Sequence, residues 1–277
     1  MTGGIAAFGI NDAIVKTLTG SLPVGEIMAL RGVFVVTLML LVLPRIGMRP
    51  GRPDRPTMLR SIAEAGVNGF FIFSLYFLAL GETYTLYFTA PIMLTAAAAL
   101  FTSERVGPRR WAAVLIGFLG ILVAVGTPAD WRLALLLPLV AALMSVLRDL
   151  ATRRVASRVG SGTVALSTAA TVTVAGTLTL PFGWVVPDLW SVTLCFLAAF
   201  GAGAGYLLFV MGLRVGDLSY VAPFRYTGIP CAMLLGFLLW GDVPEPRLLL
   251  GAAIIAGSGL FIAYRERART HVPQVRP

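Results

Sequence analysis

The sequence holds little that ionises. Only 13% of its 277 residues are charged, about half the share of an ordinary soluble domain. The basic residues are almost all arginine, with Lys16 the single lysine. Histidine occurs once, as His271 in the tail, and cysteine twice, as Cys195 and Cys231 inside apolar stretches. One His and two Cys at lipid depth exclude a metal centre of ordinary ligands. They also argue against a structural disulfide, so the cysteines read as small buried hydrophobes. The Gly-rich "GAGAGY" (201–206) lies within an apolar block and lacks the Gly-Lys-Ser/Thr ending of a phosphate loop. No ATP site and no cofactor is therefore expected. The N-terminus lacks a basic n-region and a cleavage site, so no removable signal is expected either.

What the chain has instead is apolar residues in long blocks. They make up 57% of the sequence, with a mean hydropathy of +0.86. Blocks of about 20 residues are what a helix needs to cross the hydrocarbon core, and because they run continuously rather than alternating, a closed β-barrel is excluded. The fold class expected is an all-α integral membrane protein of ten transmembrane helices. The spans read as 2–19, 24–46, 62–80, 83–102, 111–127, 133–152, 163–183, 190–213, 218–240 and 247–264. The net charge of +9 does not imply nucleic acid, because the arginines sit in the short loops between blocks. With Met1 inside, sixteen arginines fall on inner loops, and Lys16, Arg132 and Arg247 fall outside. That asymmetry predicts that both termini are cytoplasmic. Trp111, Trp131, Trp184, Trp190 and Trp240 all lie near span ends, at headgroup level.

An internal repeat is visible at an offset of 137 residues. "NDAIVKTLTGSLPVG" (11–25) overlies "RDLATRRVASRVGSG" (148–162), pairing Asp12 with Asp149 and Lys16 with Arg153. The same offset places Arg110 on Arg247 and Gly120 on Gly257. Five spans per repeat forces opposite orientations, so the expected organisation is a first repeat over 1–130, an inverted second repeat over 131–265, and a cytoplasmic tail over 266–277. Inverted repeats around a midplane site are a common carrier architecture.

Ionisable residues inside spans are expensive and mark sites. Asp12 and Arg31 each lie about 10 Å below the outer end of neighbouring spans at 1.5 Å per residue, and Lys16 and Glu26 match nearer the surface. Two level-matched ion pairs are expected, Asp12–Arg31 and Lys16–Glu26. In the second half Arg148, Asp149 and Arg225 form the mirrored set. Pro91, Pro223 and Pro230 interrupt spans 4 and 9, which suits a gate or an ordinary kink. Span 3, "NGFFIFSLYFLALG" (68–81), carries Asn68 with Phe70, Phe71, Phe73, Tyr76 and Phe77. These either pack or, with Tyr84, Tyr206 and Tyr226, line a cavity for a flat solute. The hydroxyls of Ser167, Thr168, Thr171, Thr173 and Thr177 either bond the carbonyl one turn back or line the same cavity.

"FGINDAIVK…LPVGEIMALRG" at the start, and "TAPIMLTAAAALFTSERVGPRRWAAVLIGFLGILV" and "VAPFRYTGIPCAMLLGFLLWGDVPEPRLLLGAAIIAGSGL" closing each half, together resemble the EamA-type families of the drug/metabolite transporter superfamily. In each closing stretch an Ala-Pro leads to an acidic turn (Glu104; Asp242) and a Gly-rich last span. Asp242 stands one residue off the usual Glu position. The resemblance implies two inverted five-span repeats, a central cavity lined by spans 1–4 and 6–9, and spans 5 and 10 at the periphery. It also implies alternating-access transport of a small-molecule solute across the lipid bilayer by a monomer or weak homodimer. Known members export amino acids, aromatic ones included, or carry S-adenosylmethionine, riboflavin or nucleotide sugars.

The function expected is therefore a multi-pass transporter of the bacterial inner membrane, with aromatic amino-acid export the first choice of solute. A membrane enzyme would show clustered Asp or His for metal-assisted chemistry, and a channel is the remaining alternative. The candidate substrate and gating residues are Asn11, Asp12, Arg31, Asn68, Phe73, Tyr76, Tyr84, Pro91, Tyr206, Arg225 and Tyr226. Glu64 and Asp12 are the carboxylates placed to carry a coupled proton.

Overall fold

The computed structural model describes residues 2–48, 50–101, 107–127, 132–156, 159–215 and 226–270, with 2–6, 98, 100–101, 204–215 and 266–270 described by backbone alone. The regular elements among these residues are all helices, without a strand. In chain order the helices are α1 (Thr2–Leu18), α2 (Val24–Arg45), α3 (Arg55–Ser74), α4 (Leu80–Tyr87), α5 (Ala90–Phe101), α6 (Pro108–Val125), α7 (Leu136–Thr152), α8 (Ser161–Thr177), α9 (Leu189–Val215), α10 (Gly228–Trp240) and α11 (Pro246–Thr270). Among them, five segments are long and apolar enough to cross a membrane: Val24–Arg45, Pro108–Val125, Leu133–Thr152, Ser161–Phe182 and Pro246–Arg265. Ten even crossings are expected from the sequence; the described helices are of unequal length, and the stretch expected as the fourth span divides into α4 and α5.

Local chemistry sets those boundaries. α3 starts earlier than its apolar run because the Asp54 carboxylate caps it, accepting from the Thr57 amide at 2.9 Å, with a proline in the first turn. Hydrogen bonds from Thr57 and from the Ala156 amide hold the Asp54 carboxyl below the usual carboxylate range. The break between α4 and α5 falls at Thr89. The amides of Ile92 and Met93 both bond back to its carbonyl, so Thr89 serves as the start of α5 and Pro91 occupies its first turn. Pro230 likewise sits in the first turn of α10, where a missing amide proton costs nothing, so it begins a helix instead of kinking one. Pro223 lies outside the described residues.

Packing joins the two parts of the chain more than it joins neighbours. α1 lies on α9 and α3 on α7; α2 pairs with α8, α4 with α10, and α6 with α11. At the 137-residue offset α1 corresponds to α7 and α3 to α9, so the α1–α9 and α3–α7 contacts are equivalent. α2 crosses α8 at close range. A Cβ added to Gly176 would stand 2.5 Å from the Gly25 carbonyl oxygen and 2.7 Å from the Ala29 amide, so only glycine fits there. α6 and α11 run antiparallel in the same close manner, Gly120 against Ile255 and Gly251 against Ala124.

Candidate functional site

Glu64, Asn68 and Phe71 of α3, continued by Leu75 just beyond its end, recur at helical spacing and form one stripe. That stripe faces inward, and the site is built around it. Arg31, from α2, is 8% exposed. Its guanidinium donates to Asn68 Oδ1 at 2.5 Å and more loosely to Asn11 Oδ1 at 3.5 Å. Asn68 is held by its own donation to the Glu64 carbonyl at 3.0 Å. Asn11 donates in turn to Asp12 Oδ1 at 2.7 Å, and the Tyr84 hydroxyl of α4 donates to Asp12 Oδ2 at 2.5 Å. One turn back along the stripe, Arg148 of α7 meets Glu64 at 2.9 Å, Asp149 at 2.8 Å and the Ser145 hydroxyl at 3.0 Å. The result is a polar core at membrane depth made by α1, α2, α3, α4 and α7.

Neither expected ion pair forms. Arg31 and Asp12 are separated by the Asn11 side chain, and among the described residues no carboxylate contacts Arg31. Lys16 bonds Asp242 at 3.0 Å and lies 4.7 Å from the Trp240 ring centre. Glu26, 1% exposed, accepts from the Val185 amide at 3.0 Å. The reason is angular. At 3.6 residues per turn, Glu26 and Arg31 point about 140° apart on α2, whereas Asp12 and Lys16 share a face of α1. With Arg31 turned inward, Glu26 must turn away.

An aromatic ladder adjoins the polar core. Phe71 packs edge-on against Tyr84 (5.7 Å between centres) and Tyr87 (5.3 Å). Tyr84 stacks with Phe88 at 5.6 Å, and Phe88 reaches Tyr226 at 5.9 Å. Tyr84 belongs to both systems, with its ring in the ladder and its hydroxyl on Asp12.

Of the sequence-derived candidates, the structure brings together Asn11, Asp12, Arg31, Asn68 and Tyr84, with Tyr226 at the end of the ladder. Phe73 and Tyr76 lie elsewhere. They turn outward and border a lateral cavity of about 550 Å³ with Phe70 and Trp184, and the Tyr76 hydroxyl donates to the Leu22 carbonyl. Pro91 is spent on starting α5. Tyr206 lies on α9, but its side chain is outside the described residues, as is all of Arg225. Thr171, Thr173 and Thr177 bond the carbonyl one turn back. Thr168 does the same while accepting from Arg60 at 2.6 Å. Tyr87 and Phe88 were missed, and their spacing from Tyr84 on a short polar helix was the available signal. The Glu64–Arg148 pair was missed because it joins different halves.

At the end of the molecule predicted to face outward, Arg132 bonds Glu82 at 3.1 Å. A cavity of about 150 Å³, lined by Glu82, Arg132, Asp242, Glu245 and Arg247, lies beside these ties.

Comparison with known proteins extends this picture. A family described as the EamA-like transporter family matches residues 1–126 and again 132–264. The riboflavin transporter of Rhizobium johnstonii is 31% identical over 238 residues, covering 83% of this chain and 78% of that one. The S-adenosylmethionine uptake transporter of Rickettsia bellii is 23% identical over 183 residues, 65% of this chain and 62% of that one, under two thirds of its length. A solved crystal structure superimposes with a TM-score of 0.69 at 21% identity, covering 97% of this chain and 98% of its own. That likeness establishes the fold.

Proposed function

The chain belongs to the EamA-like transporter family, and from that premise we propose that it carries a flat, ring-bearing metabolite, of riboflavin type, through the site between α1, α2, α3 and α4. The observation that carries this reading is the junction at Tyr84. Its ring continues the ladder of Phe71 and Phe88, and its hydroxyl fixes Asp12 beside Arg31. An isoalloxazine ring offers a flat face for such a ladder and acceptor atoms along one edge for a guanidinium with spare donors. The similarity to a riboflavin transporter over most of both chains supports the same solute class.

A second reading rests on the separation of charge. Asp12 and Arg31 stand apart with Asn11 between them, an arrangement suited to the ammonium and carboxylate of a zwitterion. S-adenosylmethionine has such a head group, as does an aromatic amino acid, the solute first expected from the sequence. The similarity to an S-adenosylmethionine uptake transporter favours the former.

Counterflow in proteoliposomes decides between them. Vesicles preloaded with unlabelled riboflavin, S-adenosylmethionine or tryptophan are mixed with the labelled compound outside. Saturable riboflavin exchange that disappears in Arg31→Ala is the expected result. Exchange of only one of the other two moves the assignment to the zwitterion, and exchange of none of the three rejects both readings.

A further inference from the structure

We infer that Glu64 is the proton site that couples carriage to a pH gradient, with Asp149 keeping Arg148 neutralised while the proton is bound. The inference rests on the reading of the chain as a carrier. Its basis is a difference between two contacts that the repeat makes equivalent.

At the 137-residue offset, Asn11 corresponds to Arg148 and Gly201 to Glu64. The structure brings each pair together. Asn11 of α1 lies against Gly201 of α9, where an added Cβ would stand 3.6 Å from the Asn11 Cβ, and Arg148 of α7 bonds Glu64 of α3 at 2.9 Å. One contact is a small residue against an amide; its counterpart is an ion pair. In a carrier built from two inverted repeats, changing the open side exchanges the geometry of equivalent contacts. Here that exchange strains a charge tie on one side of the molecule and nothing comparable on the other.

A proton on Glu64 removes the difference. Glu64 lies nine residues into α3 from Arg55, about 13 Å along the helix, level with Arg148 of α7. Its side chain is 22% exposed, so it is not sealed off from a proton donor. The groups facing it are Arg148 and Asp149 from α7, Arg31 from α2, and Tyr87 from α4 by way of Arg148. From α8 comes only the neutral Thr168, which holds Arg60 of α3 itself. Stripping a partner from a buried cation is ordinarily severe, because the charge is left uncompensated. Arg148 escapes this, because its Nε also bonds Asp149 at 2.8 Å. The proton adds to the Glu64 carboxylate from water on the open side. The α3–α7 tie then loosens, and the same proton leaves on the other side after the exchange. Asp12 lacks this arrangement, since the groups that bond it are neutral and Arg31 has no standby carboxylate among the described residues.

The test measures the α3–α7 distance without solute. Spin labels are placed through Leu59→Cys and Thr152→Cys in a Cys195→Ala, Cys231→Ala background, and the protein is reconstituted in lipid nanodiscs. As the pH is lowered from about 8 to about 4, near the ordinary range of a glutamate, the parent is expected to move to longer distances. Glu64→Gln should hold the longer distance at both values, and Asp149→Asn should need more acid to move. A parent indifferent to pH, or a Glu64→Gln variant that still shifts, overturns the proposal. Transport separates this from the solute assignment. Glu64→Gln should lose the dependence of riboflavin accumulation on a pH gradient, whatever its rate of counterflow. Absent counterflow in the parent counts against the solute alone, and the distance measurement still decides Glu64.

Discussion

Arg31 and Asp12 face one another without touching, because the Asn11 side chain stands between them, accepting from the first and donating to the second. Asn11 is therefore a spacer that keeps two opposite charges apart in a setting where they would otherwise combine. Replacing it with Ala lets them close into a direct pair. We expect Asn11→Ala to fold and melt like the parent while its exchange rate falls at least tenfold, the equivalent of about one charged hydrogen bond. Retained exchange in a well-folded Asn11→Ala protein would show that the separation has no part in carriage.

The α2–α8 crossing gives a stability prediction with an internal control. Gly176→Ala drives a methyl group into the backbone of α2, and overpacking of this kind typically costs about 1–3 kcal/mol. Gly257→Ala, on α11, meets nothing within 4 Å and should be neutral or slightly stabilising, since alanine favours a helix over glycine by about 0.5–1 kcal/mol. Thermal unfolding in detergent compares the two. Equal melting temperatures would contradict the close approach.

Asp54 supplies a dependence on pH. Its carboxyl is held below the usual range by Thr57 and Ala156, so the folded protein binds this proton less readily than the unfolded chain. The stabilisation is complete above the ordinary carboxylate value of 3.8 and is lost as pH falls through the lower folded value. Asp54→Ala should accordingly melt below the parent at neutral pH, with the gap narrowing under acid. A gap unchanged in acid would assign the effect to something other than the ionised cap.

Lys16 and Asp242 tie α1 to the turn after α10, across the two halves of the chain. For a partly exposed pair, a double-mutant cycle with Lys16→Met and Asp242→Asn should yield a coupling of about 0.5–1 kcal/mol that shrinks with added salt. Independent, additive effects would remove this tie from any account of how the two halves are held together.

The depth of these charges was legible in the sequence and their partners were not. Asp12, Arg31 and Asn68 stand out because a polar residue inside an apolar run needs a reason, and all three belong to the polar core. Levels along a helix say nothing about direction around it, and direction sent Glu26 to Val185 and Lys16 to Asp242. The same omission merged two faces of α3. Phe71 follows Glu64 and Asn68 inward, while Phe73 and Phe77 turn outward. Tyr84 was expected to join the span 3 aromatics around a cavity, but which of them it meets, Phe71 and not Phe73 or Tyr76, and its stacking on Phe88 needed the fold. The sequence repeat announced two halves, but the contrast between Arg148–Glu64 and Asn11–Gly201 required knowing that α3 lies on α7 and α1 on α9.

That interleaving also sets the order in which the molecule can be made. The surface of α1 waits for α9, that of α2 for α8, and that of α3 for α7. A nascent chain that has delivered only its first five crossings holds an unfinished interior, with Arg31 and Glu64 lacking the walls that later enclose them. Synthesis must continue past α9 before the early helices settle, so a truncation or a slow insertion step late in the chain exposes its beginning to degradation. The two halves, produced as separate polypeptides in one membrane, should each be short-lived alone and persist only together.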